Sequence, residues 1–249
     1  VIGYGKGNGR NVAAFAQDFT CLAGTMGEMH GKKIGKITEM GARWGMPVVG
    51  FHESGGARLQ EFLAISREYG NLFYLNSIYS GVVPQISAML GAVAGGQTYS
   101  PGLTDFVFMN KKGVAFIAGP PLVEAVIGEK IGGDELGGAR MHSTVSGVCH
   151  VMTENDEECV DKIKELLSYL PSNNKEKPPR LDPEDDPNRT SDALYDIATT
   201  GARAPYDMHR VINEVVDRGR LFEIHKQYCP NMIVGFARFG GQSAGIIAN

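Results

Sequence analysis

Five glycine pairs punctuate this 249-residue sequence: Gly55-Gly56, Gly95-Gly96, Gly132-Gly133, Gly137-Gly138 and Gly240-Gly241. One pair is a turn. Several pairs, each closing an apolar run, mark loops where backbone must approach a ligand or another backbone closely, because glycine carries no Cβ. The run before Gly95, PQISAMLGAVA, is apolar along most of its length, as in a strand covered on both faces.

Elsewhere the pattern alternates. VIGYG and NVAAFAQDF predict two strands joined by KGNGR, with Asn8-Gly9 as the hairpin signal. The run Gly3, Gly5, Gly7, Gly9 does not satisfy GxGxxG, since Asn8 and Arg10 stand where the third glycine would fall. A turn is expected there, not a dinucleotide site. GEMHGKKIGKITEMGARWG predicts a helix whose apolar stripe is Met29, Ile34, Ile37, Met40 and Trp44. A strand (VVGFHE), a loop (SGGARLQE), a long helix, the apolar strand, and strands FVFMN and VAFIAG follow, then a helix opened by Pro120. This succession predicts an α/β domain of crossover units. Residues 1–170 read as its core and 171–205 as a linker dense in Pro and charge, expected to pack as no element. Residues 206–249 read as a helix and strands turning at Gly240-Gly241. No internal repeat is legible.

The composition, 43% hydrophobic and 21% charged, is that of a globular domain, and a net charge of -4 argues against nucleic acid. No apolar run reaches the roughly 18 residues of a membrane span, and the start has no signal-peptide pattern. The chain begins at Val1 as though entering mid-fold, so an upstream targeting segment could have been lost. Cys21, Cys149, Cys159 and Cys229 are scattered without metal-ligand spacing, so no metal and a reducing, cytoplasmic setting are expected (the mitochondrial matrix in a eukaryote).

Catalytic side chains are scarce. A nucleophile elbow at Ser54 lacks its first glycine, where His52 stands. Glu28 and His30 read as a helix face, His142 and His150 as loop histidines, and Glu184, Asp185 and Asp186 as a solvated linker. Few reactive side chains and many glycine loops suit an enzyme whose main tool is a set of backbone N–H groups around a developing oxyanion.

Several long motifs, in order, carry a resemblance: QDFTCLAGTMGEMHGKKI, ESGGARLQE, GVVPQISAMLGAVAGGQTYSPGLTDFVFM, LGGARMHSTVSGV and PNMIVGFARFGGQSAGIIAN. The sequence resembles the carboxyltransferase (beta) subunit of biotin-dependent acyl-CoA carboxylases of the propionyl-CoA carboxylase type, over its N-terminal domain. That resemblance implies a crotonase-like (ClpP/crotonase) fold of stacked strand-strand-helix turns. It implies an acyl-CoA thioester as substrate and biotin on a separate carrier protein or domain, served by a biotin carboxylase subunit. A homo-oligomer, commonly a hexamer, is implied too, with each site shared between the N-domain of one chain and the C-domain of another. The catalytic amides would be those of Gly95 and Gly96. The acyl-CoA would be lined by Gly55, Gly56, Ala57 and Arg58, with Gln97 and Tyr99 beside it.

The sequence departs from the family at Phe62, where a glycine is usual, and at Gln97, where a small residue is usual. The family's C-terminal domain and the usual start of its N-domain lie outside it. Three other readings stand beside acyl-CoA carboxylation: the carboxyltransferase subunit of a biotin-dependent decarboxylase, an enoyl-CoA hydratase relative, and an acyl-CoA-binding or assembly module without activity alone. The hydratase would need carboxylates beside the glycine loops, where Gln97 and Ser100 stand.

Overall fold

The computed structural model describes residues 1–183, 185–186, 188–199 and 205–249. In chain order its elements are β1 (Ile2–Gly7), β2 (Arg10–Ala16), α1 (Glu28–Arg43), β3 (Val48–Ser54), α2 (Phe62–Ile78) and β4 (Gln85–Ala94). A tight turn, Gly95–Thr98, runs into α3 (Tyr99–Gly102). Then come β5 (Phe106–Asn110), β6 (Val114–Phe116), α4 (Pro120–Ile127), α5 (Gly133–Gly137), α6 (Ala139–Thr144), β7 (Val151–Thr153) and α7 (Asp156–Tyr169). The chain closes with α8 (Asp192–Thr199), α9 (Met208–Val215), β8 (Phe222–Ile224), β9 (Ile233–Phe239) and β10 (Gln242–Ala248).

The main sheet runs β1-β2-β3-β4-β5-β7, antiparallel at β1–β2 and parallel thereafter. Asn8 (φ 51°) and Gly9 (φ 78°) make the expected hairpin turn. The first half of β4 is buried throughout and pairs with β5 from Ile86 to Met89. Its second half changes partner, pairing Ala92–Ala94 with Val114–Phe116 of β6, while its register against β3 shifts between His52 and Ser54. That change of partner carries the end of β4, and with it the Gly95–Thr98 turn, past the end of its pairing with β5. One core packs α1 and α2 on the sheet through Ile34, Ile37, Ile65 and Leu72; the other face carries α7, through Ile163, Leu166 and Leu167, on Ile86, Ala88 and Phe108.

The buried face of α1 is not the stripe expected. Met29 and Trp44 are exposed, at 64% and 60%, and Ile34 and Ile37 are flanked instead by Gly31, Gly35 and Gly41. The reason is close approach, of the sheet residues Val48 and Ala13 at Gly41 and of α2 at the other two. A Cβ at Gly31 would lie 2.5 Å from Glu68 Cβ, and one at Gly35 would lie 2.8 Å from Asn71 Nδ2. Each mid-helix glycine costs about 1 kcal/mol of intrinsic propensity, which helix–helix packing here offsets.

Two expectations about the second half need correction. The stretch 171–205 does hold an element: α8, whose Ile197 is buried. Arg189 donates to the Val216 carbonyl at 2.8 Å, and Asp185 accepts from the Arg218 amide, so this acid is not simply solvated. Glu184 lies outside the described residues.

The second correction is an internal repeat. β9–β10 reproduces β1–β2 in register: Gly3↔Ala14 answers to Gly235↔Ile246, and Gly7↔Arg10 to Phe239↔Gln242. The turns match as well, Gly240 and Gly241 having φ 55° and 78°. Identity is confined to pairs such as Gly3/Gly235, Gly9/Gly241 and Ala16/Ala248. Some other pairs are like-for-like exchanges (Tyr4/Phe236, Lys6/Arg238) and others are not (Gly7/Phe239), so register reveals what sequence conceals. No helix among the described residues is long and apolar enough to cross a membrane.

Candidate functional site

Three segments meet at the outer end of β3 and β4. The first is the loop Gly55–Arg58. The second is 21–26, which pairs with it: Gly55 N donates to Ala23 O (2.8 Å), Met26 N to Gly56 O (2.9 Å) and Arg58 N to Met26 O (3.0 Å). The third is the Gly95–Thr98 turn, reached because Gly56, at φ 103°, lies so close that its Cβ would stand 3.0 Å from Ala94 O. Sequence reading missed the second segment. Leu22, Ala23 and Gly24 all have left-handed φ, at 51°, 54° and 62°. Such conformations in non-glycine residues are strained and concentrate at functional sites. Only Gly24 hinted at it, and its partner loop is some thirty residues away.

The hydrogen bonds leave one loop amide open. Gly55 N and Arg58 N donate as above, and Gly56 N donates to Ser54 Oγ (3.1 Å). Among the described residues, the Ala57 N–H has no such partner. Gly95 and Gly96 open a helical turn, and the first N–H groups of a helix have no intrahelical acceptor. The side chain packed on that turn is Tyr69 from α2: a Cβ at Gly96 would lie 2.8 Å from its Cζ. Glycine at 96 is therefore required by the phenol ring, while Gly95 is required by its φ of 58°.

Beside these loops lies a 390 Å³ cavity lined by Gly24, Thr25, His30, Lys33 and Arg58 among others. Lys33 is exposed on α1. Lys32 is tied to Glu28 at 2.6 Å. Arg58 has a structural duty as well, donating to Thr25 O (2.9 Å) and pairing with Glu61 (3.0 Å). Glu61 in turn accepts from Glu28 N at the start of α1 (2.6 Å). Of the remaining candidates, Gln97 is wholly buried and does not reach the cavity, and Tyr99 is 48% exposed with its ring 5.7 Å from Phe73.

The alternative chemistries lack geometry. Ser54 Oγ is engaged by Gly56 N, and His52 Nε2 lies 3.2 Å from Ser87 Oγ, so the two form no dyad. Glu28 and His30 part company as well, the acid to Lys32 and Arg67, the imidazole to Gln17 and Thr25. Among the described residues no cluster of His, Cys, Asp and Glu is placed to hold a metal.

Burial pushes the His52 imidazole down to about 3, and burial beside His225 pushes His150 down to about 4. Both folded values lie below 6.5, so the unfolded chain binds these protons first as pH falls. The stabilisation from holding them neutral is complete above pH 6.5 and is lost progressively toward the folded values. For His52 the loss is about 1.4 kcal/mol per pH unit, roughly 2 kcal/mol at pH 5. The melting temperature should fall from pH 7 to pH 5, and His52→Gln should remove roughly 4–8 °C of that fall. An unchanged pH dependence in the variant would contradict this assignment.

The two glycine loops meet at the ends of β3 and β4 in a crotonase-like α/β fold, and the cavity beside them is lined by Gly24, Lys33 and Arg58 but by none of Gly55, Gly56, Gly95 and Gly96. The family model for the carboxyl transferase domain matches residues 1–249, and the chain belongs to that family. It is 47% identical to methylmalonyl-CoA decarboxylase subunit alpha of Veillonella parvula and 46% identical to the propionyl-CoA carboxylase carboxyltransferase subunit of Haloferax mediterranei, covering 100% of this chain and 49% and 48% of theirs. The transcarboxylase 12S structure with methylmalonyl-CoA and methylmalonic acid bound superposes with a TM-score of 0.97 at 41% identity, over 100% of this chain and 48% of that one. The chain spans about half the length of the relatives it matches.

Proposed function

We propose that this chain supplies the acyl-CoA side of a biotin-dependent carboxyltransferase that moves a carboxyl group from biotin to the α-carbon of an acyl-CoA. The observation that carries the reading is the meeting of the Gly55–Arg58 loop with the Gly95–Thr98 turn beside a cationic cavity. Amides of Ala57, Gly95 and Gly96 would face the thioester oxygen and hold the enolate that forms when the α-proton leaves. Lys33 and Arg58 would attract the phosphates of CoA.

The chain's own groups fit a reaction whose base comes from elsewhere. Tyr69, the side chain packed on the turn, is pushed up to about 12 by burial, and the Glu53 carboxylate is turned back over Gly91. Biotin, on a separate carrier protein or domain, would supply the carboxyl group and a ureido nitrogen able to take the proton. Residues 206–249 would lead into a second unit of the same kind, a reading supported by the repeat of β1–β2 in β9–β10. A shared site between subunits, a hexameric assembly and a biotin carboxylase partner in the cytoplasm, or in the mitochondrial matrix of a eukaryote, complete the proposal. The relatives include a methylmalonyl-CoA decarboxylase subunit as well as carboxylase subunits, so the same half-reaction run toward biotin is the second reading.

Calorimetric titration tests the binding half. Lys33→Gln should weaken acyl-CoA binding about threefold to tenfold at low ionic strength, with the difference shrinking at about 0.5 M salt, where the Debye length is only a few ångströms. Equal affinities at both salt concentrations would remove Lys33 from the site.

A further inference from the structure

Among the described residues, three polar atoms on two adjacent side chains at the Gly95–Gly96 turn are buried without a hydrogen-bond partner of normal geometry: Oε1 and Nε2 of Gln97, and the hydroxyl of Tyr69. Gln97 is 0% exposed and Tyr69 9%. Buried polar groups are paired in the great majority of cases, so neighbouring orphans point to a shared role. The two face each other: Gln97 is the hydrogen-bonding neighbour of the phenol and lowers its pKa against the larger, raising effect of burial, although no bond of normal geometry is closed between them.

Their placement is specific. Tyr69 reaches from the middle of α2 and lays its ring against Gly96. Phe73, one helical turn on, follows at 5.8 Å, and Tyr99, just past the turn, lies 5.7 Å from Phe73. Both ends of the turn are thus gripped by one face of α2, and Gln97 sits between them.

We infer that Tyr69 and Gln97 act as one hydrogen-bonding unit that positions the Gly96 amide, so that Gln97 is a positioning residue and not a contact to the acyl chain. The inference rests on the acyl-CoA reading above. A mobile Gly96 amide would bind the ground-state thioester nearly as well but would meet the enolate oxygen less well, and misplacement by an ångström is enough to cost rate.

The native full-length protein should therefore respond in kcat and not in KM. Tyr69→Phe keeps the ring against Gly96 and deletes the hydroxyl; Gln97→Met keeps the volume and deletes the amide. Each should lower kcat for carboxyl transfer about tenfold with KM for acyl-CoA within about twofold, and the double variant should be no slower than the slower single. A raised KM at unchanged kcat makes Gln97 a substrate contact and overturns the inference. A lowered melting temperature at unchanged kcat, or additive losses in the double variant, overturns it as well. Wild-type protein that binds no acyl-CoA in calorimetry brings down the functional reading itself, a failure distinct from the other three.

Discussion

Gly96→Val is expected to lower turnover about a hundredfold or more while leaving CoA binding nearly intact. A Cβ at this position would lie 2.8 Å from Cζ and 2.9 Å from Cε1 of Tyr69, a ring held within the α1–α2 core. The branched side chain cannot share that space, so the turn must move and carry its amides away from the thioester. Loss of one oxyanion donor costs roughly 3 kcal/mol in enzymes that stabilise an oxyanion with backbone amides. The cavity is lined by residues of α1, by Gly24, Thr25 and Arg58, and by no residue of the Gly95–Thr98 turn, so CoA binding there is expected to persist. Melting and CoA titration separate loss of mechanism from loss of fold, and Gly96→Ala, which adds the Cβ alone, provides a milder step in the same direction. A folded Gly96→Val protein with near-normal turnover would exclude this turn from the chemistry.

Gly24→Ala should be the costliest small substitution in the site, lowering stability by about 2–4 kcal/mol in denaturant unfolding. Two effects add. Residue 24 holds φ 62°, which costs a non-glycine residue about 1 kcal/mol or more, and a Cβ there would overlap the Glu53 carbonyl oxygen. The backbone must then separate 21–26 from 55–58, opening the cavity wall and weakening acyl-CoA binding along with stability. Gly95→Ala is the control. Its φ is similar, but its Cβ would meet nothing within 4 Å, so its loss of stability should stay near 1 kcal/mol. Equal costs at the two positions would contradict the close packing described for Gly24.

Several local signals in the sequence match the structure, although the apolar stripe of α1 does not, since Met29 and Trp44 are exposed. Asn8-Gly9 announced its hairpin, the unalternating run before Gly95 announced a covered strand, and the glycine pairs marked the two loops that meet. What escaped notice depends on contacts between distant residues. The left-handed stretch at Leu22–Gly24 is held by hydrogen bonds to a loop thirty residues on. The glycine face of α1 means nothing until α2 is set against it. Tyr69 looks like one more apolar position on α2 until its ring is found beneath Gly96. Gln97 beside a glycine turn suggests a substrate contact, whereas the fold buries it completely. The repeat of the opening hairpin is carried by register and turn conformation, which few identities record.

The central claim is that glycine amides of this chain hold the enolate of an acyl-CoA during carboxyl exchange with biotin. The direct measurement incubates the native full-length protein with methylmalonyl-CoA and free biotin and follows the CoA esters by mass. Carboxyl transfer would turn methylmalonyl-CoA into propionyl-CoA as biotin gains the carboxyl group, and this holds whether the protein works as a carboxylase or a decarboxylase subunit. The account predicts propionyl-CoA formation that requires biotin and falls about a hundredfold in Gly96→Val. Methylmalonyl-CoA left unchanged, or converted equally well without biotin, would contradict it.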